Sequence, residues 1–302
     1  MDATGARRDR IVWVVDKREG RVFSTAVANL CAERDFYTVA GDDPRIIDKM
    51  WSGYESGLSG AIDDLIAAKV DAMTWAATLV PFVTALLVRG RDFAKRFESR
   101  FIVSLGTGIP PLLREGPDNT NWARLMEMQR LRASVLGARW TVIEVAGSTQ
   151  LITNDLGFNA HIEPKSQYRG IVVPLGLHHA LTVLPTKERH VVATAKNGAW
   201  IPNISYARLD DDQSEGINKC FSISAQRFII GPTEEVVSRY RRQQEVPPGV
   251  PEPGALGFMS GRMARQYEHV YLNLMSKMAV TPPEDGLFLY VDYKRNMKAA
   301  GP

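Results

Sequence analysis

The sequence predicts an α+β fold: a helical amino-terminal half carrying a small β-hairpin, followed by an antiparallel sheet and further helices. Two patterns carry that expectation. Apolar residues recur at helical spacing from Ile47 through the uncharged stretch at 72–88, and beyond Gly137 the period changes to short β-branched runs separated by turn residues. Composition agrees, since 302 residues with 45% hydrophobic and 24% charged side chains suit a globular chain with a substantial core.

In order along the chain, Ile11 to Val15 is β-branched and aromatic, and Arg21-Val22-Phe23 resumes after Asp16 to Gly20, so the start reads as a hairpin. From Ser24 a helical turn is expected to carry Val27, Leu30 and Cys31 on one face. Asp43-Pro44 opens a long amphipathic helix whose apolar stripe runs through Ile47, Met50, Trp51, Tyr54, Leu58, Ile62, Leu65 and Ile66. Gly53, Gly57 and Gly60 each weaken such a helix by about 1 kcal/mol relative to Ala, and close approach of a neighbouring backbone is the expected reason for them. No charged residue stands between Asp71 and Arg89, and no polar face is left, which marks a buried helix. A bilayer span needs about 20 apolar residues. This run is shorter and holds Thr74, Thr78, Pro81 and Thr84, so it predicts a core helix kinked at Pro81 and no membrane contact.

Residues 104–120, rich in glycine and proline, predict a long loop; its Gly106-Thr107-Gly108 lacks the Gly-Lys-Ser/Thr of a phosphate-binding turn. A helix is expected over 121–137. Runs at 140–145, 151–153, 170–175, 180–184 and 190–193 then predict an antiparallel sheet, and helices follow over 210–227 and 233–243. Pro247 to Gly257 is the clearest linker. It divides the chain into a single α+β domain over 1–246 and a carboxy-terminal tail or arm over 258–302, with a helix at 260–278 and a strand at 287–290.

The 37 basic and 34 acidic residues leave a net charge of +3, too near balance to draw nucleic acid by bulk attraction. A nucleic-acid partner would have to use a local cluster such as Arg239, Arg241 and Arg242 beside Tyr240, which equally fits a helix end complementing its own dipole. Cys31 and Cys220 form neither a disulfide framework nor a Cys-x-x-Cys pair, which points to a reducing compartment, the cytoplasm. Met1 to Arg10 is polar and basic, and Ile11 to Val15 is too short for a signal-peptide core. No metal-ligand spacing, nucleophile elbow, P-loop or Rossmann fingerprint is present, so no cofactor is assigned.

Several segments in order, Val14-Val15-Asp16-Lys17, Asn29 to Tyr37, Glu55, Leu87-Val88-Arg89, Ile152-Thr153-Asn154-Asp155, Val173-Pro174-Leu175 and Ile217-Asn218 through Arg227, are similar to patterns of a widespread bacterial family known only as a domain of unknown function. The resemblance spans residues 11 to 243. That family's His-x-Val-Pro-x-x-Tyr-Leu opening has no counterpart in Met1 to Arg10, and Asp155 is followed by Leu156-Gly157 where the family has Asn-Pro. The resemblance implies a fold more than an activity.

Candidate chemistry centres on Asp155, in a turn after Leu151-Ile152-Thr153, as general base or metal ligand; the competing account is a turn aspartate capping backbone amides. His178, beyond the 172–175 run, would complete an acid–base couple with it, or stand as a solvated loop histidine. Glu33 and Glu55, with Asp35, offer catalytic carboxylates or helix-dipole partners. Arg89 and Arg227 are the candidate anion ligands, and Asn218 joins them through the family's closing helix. The expected function is a partner- or ligand-binding protein, its partner another protein or a second copy reached through the carboxy-terminal tail. The alternative is a hydrolase acting on nucleic acid or a phosphorylated substrate, in a toxin or defence role. In either case the site is expected where the helix end at Arg89 faces the Asp155 turn.

Overall fold

The β-branched start forms the expected hairpin, β1 (Ile11–Asp16) and β2 (Arg21–Ala26), closed by an Asp16 carboxylate that accepts the Arg18 and Glu19 amides at 2.9 and 3.2 Å. The structure, a computed structural model, describes residues 11–30, 37–40, 42–90, 93, 116–145, 147–162, 169–186, 189–241, 261–282 and 287–291. The fold is α+β, and three sheets lie within these residues. Ser24 stays in β2 and only a 3-10 turn at Val27–Asn29 follows, so the helical turn expected from Ser24 is absent there.

The long amphipathic helix is two helices, α1 (Ile46–Glu55) and α2 (Leu58–Ile66), parted at Gly57 with φ +78°. That left-handed conformation suits glycine and breaks the α-helical path. Nothing lies within 4 Å of where a Cβ would sit on Gly53, Gly57 or Gly60, so the expected backbone packing at these glycines is not found.

The uncharged run forms α3 (Ala72–Arg89), capped by Asp71, which accepts the Thr74 amide at 2.8 Å. Among the described residues α3 alone is long and apolar enough to cross a bilayer, yet Trp75, Leu79, Val80, Val83, Leu87 and Val88 are buried within the fold. Its irregularity is a π turn at Trp75–Leu79, where the Val80 amide reaches Trp75 O, ending just before Pro81. Pro81 has no N–H to offer and its ring crowds the carbonyl one turn back. Ala76 O is thereby left without a helical donor, and the Tyr271 hydroxyl supplies one at 3.0 Å. Tyr271 comes from α7 (Gly261–Ala279), which packs beside α4 (Gly116–Leu136). α4 begins within the stretch expected to be loop, at Gly116. The rest of that stretch lies outside the described residues.

Beyond α4, β3 (Arg139–Val145), β4 (Thr153–Asn154), β5 (Asn159–Ile162), β6 (Arg169–Pro174), β7 (His179–Leu184), β8 (His190–Lys196), β9 (Ala199–Pro202) and β10 (Ile204–Leu209) follow. Next come α5 (Asp211–Ser224), β11 (Phe228–Gly231), α6 (Glu234–Ser238) and, after α7, β12 (Phe288–Val291). The central sheet has the order β10-β3-β7-β6-β5; the expected strands β3, β7 and β6 pair antiparallel, and β10, which was not among the expected runs, adds a parallel pair with β3. β11 joins β1 and β4 in the sheet β2-β1-β11-β4, and β12 pairs with β8 in β12-β8-β9. The expected helix over 233–243 is the short α6.

Side-chain alternation sorts the central sheet into two interiors. Trp140, Val142, Ile171, Val173, Leu181 and Val183 face the helices, where Trp75 meets Trp140 edge-on at 5.7 Å. Ile143, Val145, Val172 and Ala180 face Phe221, Ile229 and Val15. Burial on both faces explains the nearly continuous apolar runs in the sequence.

Candidate functional site

Two polar constellations emerge from this frame. The first ties the end of α5 to the hairpin. The Asp16 side chain is 1% exposed and its Oδ2 accepts Arg227 Nε and Nη2 at 2.9 and 2.8 Å. Burial pushes the Asp16 carboxyl up, but the hydrogen bonds from Arg227 and from the Glu19 and Arg18 amides outweigh it and hold the group below its ordinary value. Lys17 Nζ donates to the carbonyls of Ser222, Ile223 and Ala225 at 2.9, 3.2 and 2.9 Å, satisfying the carbonyls a helix end leaves open. Burial lowers its pKa while the Asp155 charge pulls it back up.

Asp155 lies beside this lysine, and its Oδ1 and Oδ2 accept the amides of Gln226 and Arg227 at 2.9 and 2.8 Å. Burial raises its carboxyl against those amide bonds, which act downward. Asn154 accepts the Leu156 and Gly157 amides and donates to Phe221 O and Ser224 Oγ. Asn218 accepts the Ile152 amide at 3.0 Å and donates to Gln150 O at 2.9 Å. Each polar group here meets a backbone or side-chain complement, so the cluster acts as a clasp joining β1, β4, β11 and α5.

The second constellation lies between α1 and α3. Arg89, at the end of α3, pairs with Glu55, at the end of α1, through a single contact of Nη1 with Oε1. The Arg89 guanidinium lies over Trp51 at 5.5 Å and over Tyr37 at 5.6 Å, and the Tyr37 hydroxyl donates to the Arg89 carbonyl at 3.1 Å. Trp51, Tyr54, Phe82, Leu86, Glu55 and Arg89 line a shallow cleft. Arg132 of α4 donates through Nη2 to the Tyr54 hydroxyl at 2.5 Å and lies over that ring at 5.0 Å. Among the described residues no carboxylate pairs with Arg132, and its buried Nε finds no acceptor. The indole N–H of Trp51, a residue 2% exposed, is also buried without one. Trp75 and Trp200 share that condition in the core, but of the three it is Trp51 that lines the cleft.

Of the sequence candidates, Arg89 and Glu55 come together in the cleft, and Asp155, Arg227 and Asn218 gather around the end of α5. His178 is exposed between β6 and β7, its carbonyl accepting the Val145 amide at 2.8 Å, and its side chain makes no hydrogen bond to Asp155. Glu33 lies outside the described residues. Among the described residues no group of three or more His, Cys, Asp or Glu gathers as a metal site. The α3 end does meet the Asp155 turn: a Cβ on Gly157 would stand 3.2 Å from Leu86 Cδ2, and φ is +74° there.

Sequence reasoning did not single out Trp51, Tyr54 or Arg132 as site residues. A signal existed for the polar interior of α4, because Arg124 and Glu127 share a stripe with Met128 and Leu131 and are 2% and 6% exposed. Arg124 donates to the Val88 and Gly90 carbonyls, closing the end of α3.

Over residues 5–105 the chain is similar to a family described as "Protein of unknown function (DUF4238)". That stretch holds the hairpin, α1, α2 and α3, and with them Glu55 and Arg89, and it stops short of α4 and the Asp155 turn. No curated protein and no solved structure matches the chain.

Proposed function

We propose that this is a ligand-binding protein of the cytoplasm that holds a small anion with an apolar body in the cleft between α1 and α3. One observation carries the reading: the Arg89 guanidinium and the Glu55 carboxylate line one cleft and meet there as a half-exposed ion pair. An anion takes the guanidinium in place of Glu55, and its apolar part rests against Phe82 and Leu86. The two cysteines, one of them the free Cys220, support a reducing compartment.

Calorimetric titration with benzoate and with inorganic phosphate tests this. Binding that disappears in Arg89→Met, with the thermal midpoint of that variant retained, is the expected result. Failure of both probes to bind, or equal binding by the variant, overturns it. The second reading is a hydrolase acting on a phosphorylated substrate, favoured by the Arg89 guanidinium and by Glu55 beside it as general base. Turnover of p-nitrophenyl phosphate that is lost in Glu55→Gln would replace binding by hydrolysis.

A further inference from the structure

The small sheet β12-β8-β9 has one face that the described elements leave open. Alternation turns Leu289, Val291, Ala193 and Trp200 inward, where they are buried, and leaves Phe288, Tyr290 and Ile201 on the other side. Register sets these outer side chains beside one another, Phe288 opposite Thr194 and Thr194 opposite Ile201. Phe288 is 47% exposed and Tyr290 40%, with ring centroids 6.1 Å apart. The Arg189 guanidinium lies 4.0 Å from the centre of the Tyr290 ring and extends that flat surface.

The charge on this face has one sign. Arg189 immediately precedes β8 and the exposed Lys196 ends it, and neither has a carboxylate partner among the described residues. β8, β9 and β12 contain no Asp or Glu. Open rings, a stacked guanidinium and a lysine on one sheet face are complementary to a chain of flat bases joined by phosphates. The cluster that the sequence offers for nucleic acid has no such surface: Tyr240 is 2% exposed with its hydroxyl on Glu215, and Arg239 pairs with Glu235. We propose that the outer face of the β12-β8-β9 sheet binds single-stranded nucleic acid, stacking bases on Phe288 and Tyr290 and meeting phosphates with Arg189 and Lys196. The near-balanced net charge adds little long-range attraction, so binding is weak, sensitive to salt and tolerant of sequence. None of these residues belongs to the cleft of Glu55 and Arg89.

Fluorescence anisotropy of a labelled oligouridylate tests this on the wild type, Phe288→Leu, Tyr290→Leu, the double variant and Lys196→Ala. A duplex of the same length is the comparison, and urea midpoints check folding. Leucine keeps an apolar side chain and removes the flat ring. Each ring lost is expected to weaken binding by at least about fivefold. Log affinity should fall against log salt with a slope of about −1.4, about −0.7 for each of two phosphates, and Lys196→Ala should halve it. The duplex, its bases already stacked, should bind more weakly. No binding by the wild type at low salt overturns the proposal, as does equal binding by a folded double variant. Should the double variant unfold, an unaltered salt slope in Lys196→Ala overturns it alone. A duplex held as tightly as the single strand removes the stacking role. A wild type that ignores the oligonucleotide but sediments as a dimer, with either single leucine variant a monomer, would assign the face to a second copy of the chain instead.

Discussion

The clasp at the end of α5 and the cleft at the end of α3 are built from the same residue types and reach opposite states. In the clasp, Asp16 meets Arg227, Lys17 meets three carbonyls and Asp155 meets two amides. In the cleft, Arg89 meets the Glu55 carboxylate through one contact, with both side chains partly in water. Full matching of buried groups marks the clasp as architecture, and a half-exposed ion pair in a cleft leaves Arg89 within reach of an anion.

Breaking the clasp should have the largest effect. Asp16→Ala removes the acceptor of two amides and the partner of Arg227 from a fully buried position, and is expected to destabilise the protein by about 3 kcal/mol. Urea unfolding measures it. A loss below about 1 kcal/mol would show that the clasp is not what holds the hairpin to α5. Next comes Tyr271→Phe, which strips the donor from Ala76 O at the π turn and should cost about 1–3 kcal/mol without altering benzoate affinity. Affinity lost together with stability would tie α7 to the cleft.

Acidity separates the two carboxylates inside the clasp. The folded value of Asp16 is depressed, so its contribution to stability is present above its unfolded value and disappears as pH falls through the folded one. The folded value of Asp155 is raised, so its contribution is present below its unfolded value and is lost as pH rises through the folded one. In a series of urea midpoints against pH, Asp16→Asn should flatten the acid-side decline. Asp155→Asn should abolish the decline on the rising side. The same slope in both variants would contradict the opposed environments. The smallest expected effect is Gly57→Ala, about 1 kcal/mol, from forcing a side chain into a left-handed backbone with open space around it.

Local periodicity made the hairpin, α3 and α5 legible, since each is written in neighbouring residues. The split at Gly57 was hidden because a glycine in an amphipathic stripe reads the same whether it packs closely or turns the chain. β11 is apolar but only four residues long, directly after a helical stretch, and the edge strand β10, with its largely exposed side chains, carries too little apolar pattern to announce itself. Arg89, Glu55 and Asp155 stood out by sequence, but whether each is matched depends on Trp51, Tyr54 and Arg132, or on amides at 226 and 227, and only the fold brings those together.

The claim that the cleft at the end of α3 is the ligand site is tested most directly by a crystal structure of the protein with benzoate bound. The expected result is its carboxylate on Arg89 and its ring against Phe82 and Leu86. Benzoate seated on Arg227 at the clasp, or a cleft that stays empty while Arg89 keeps Glu55, would contradict it.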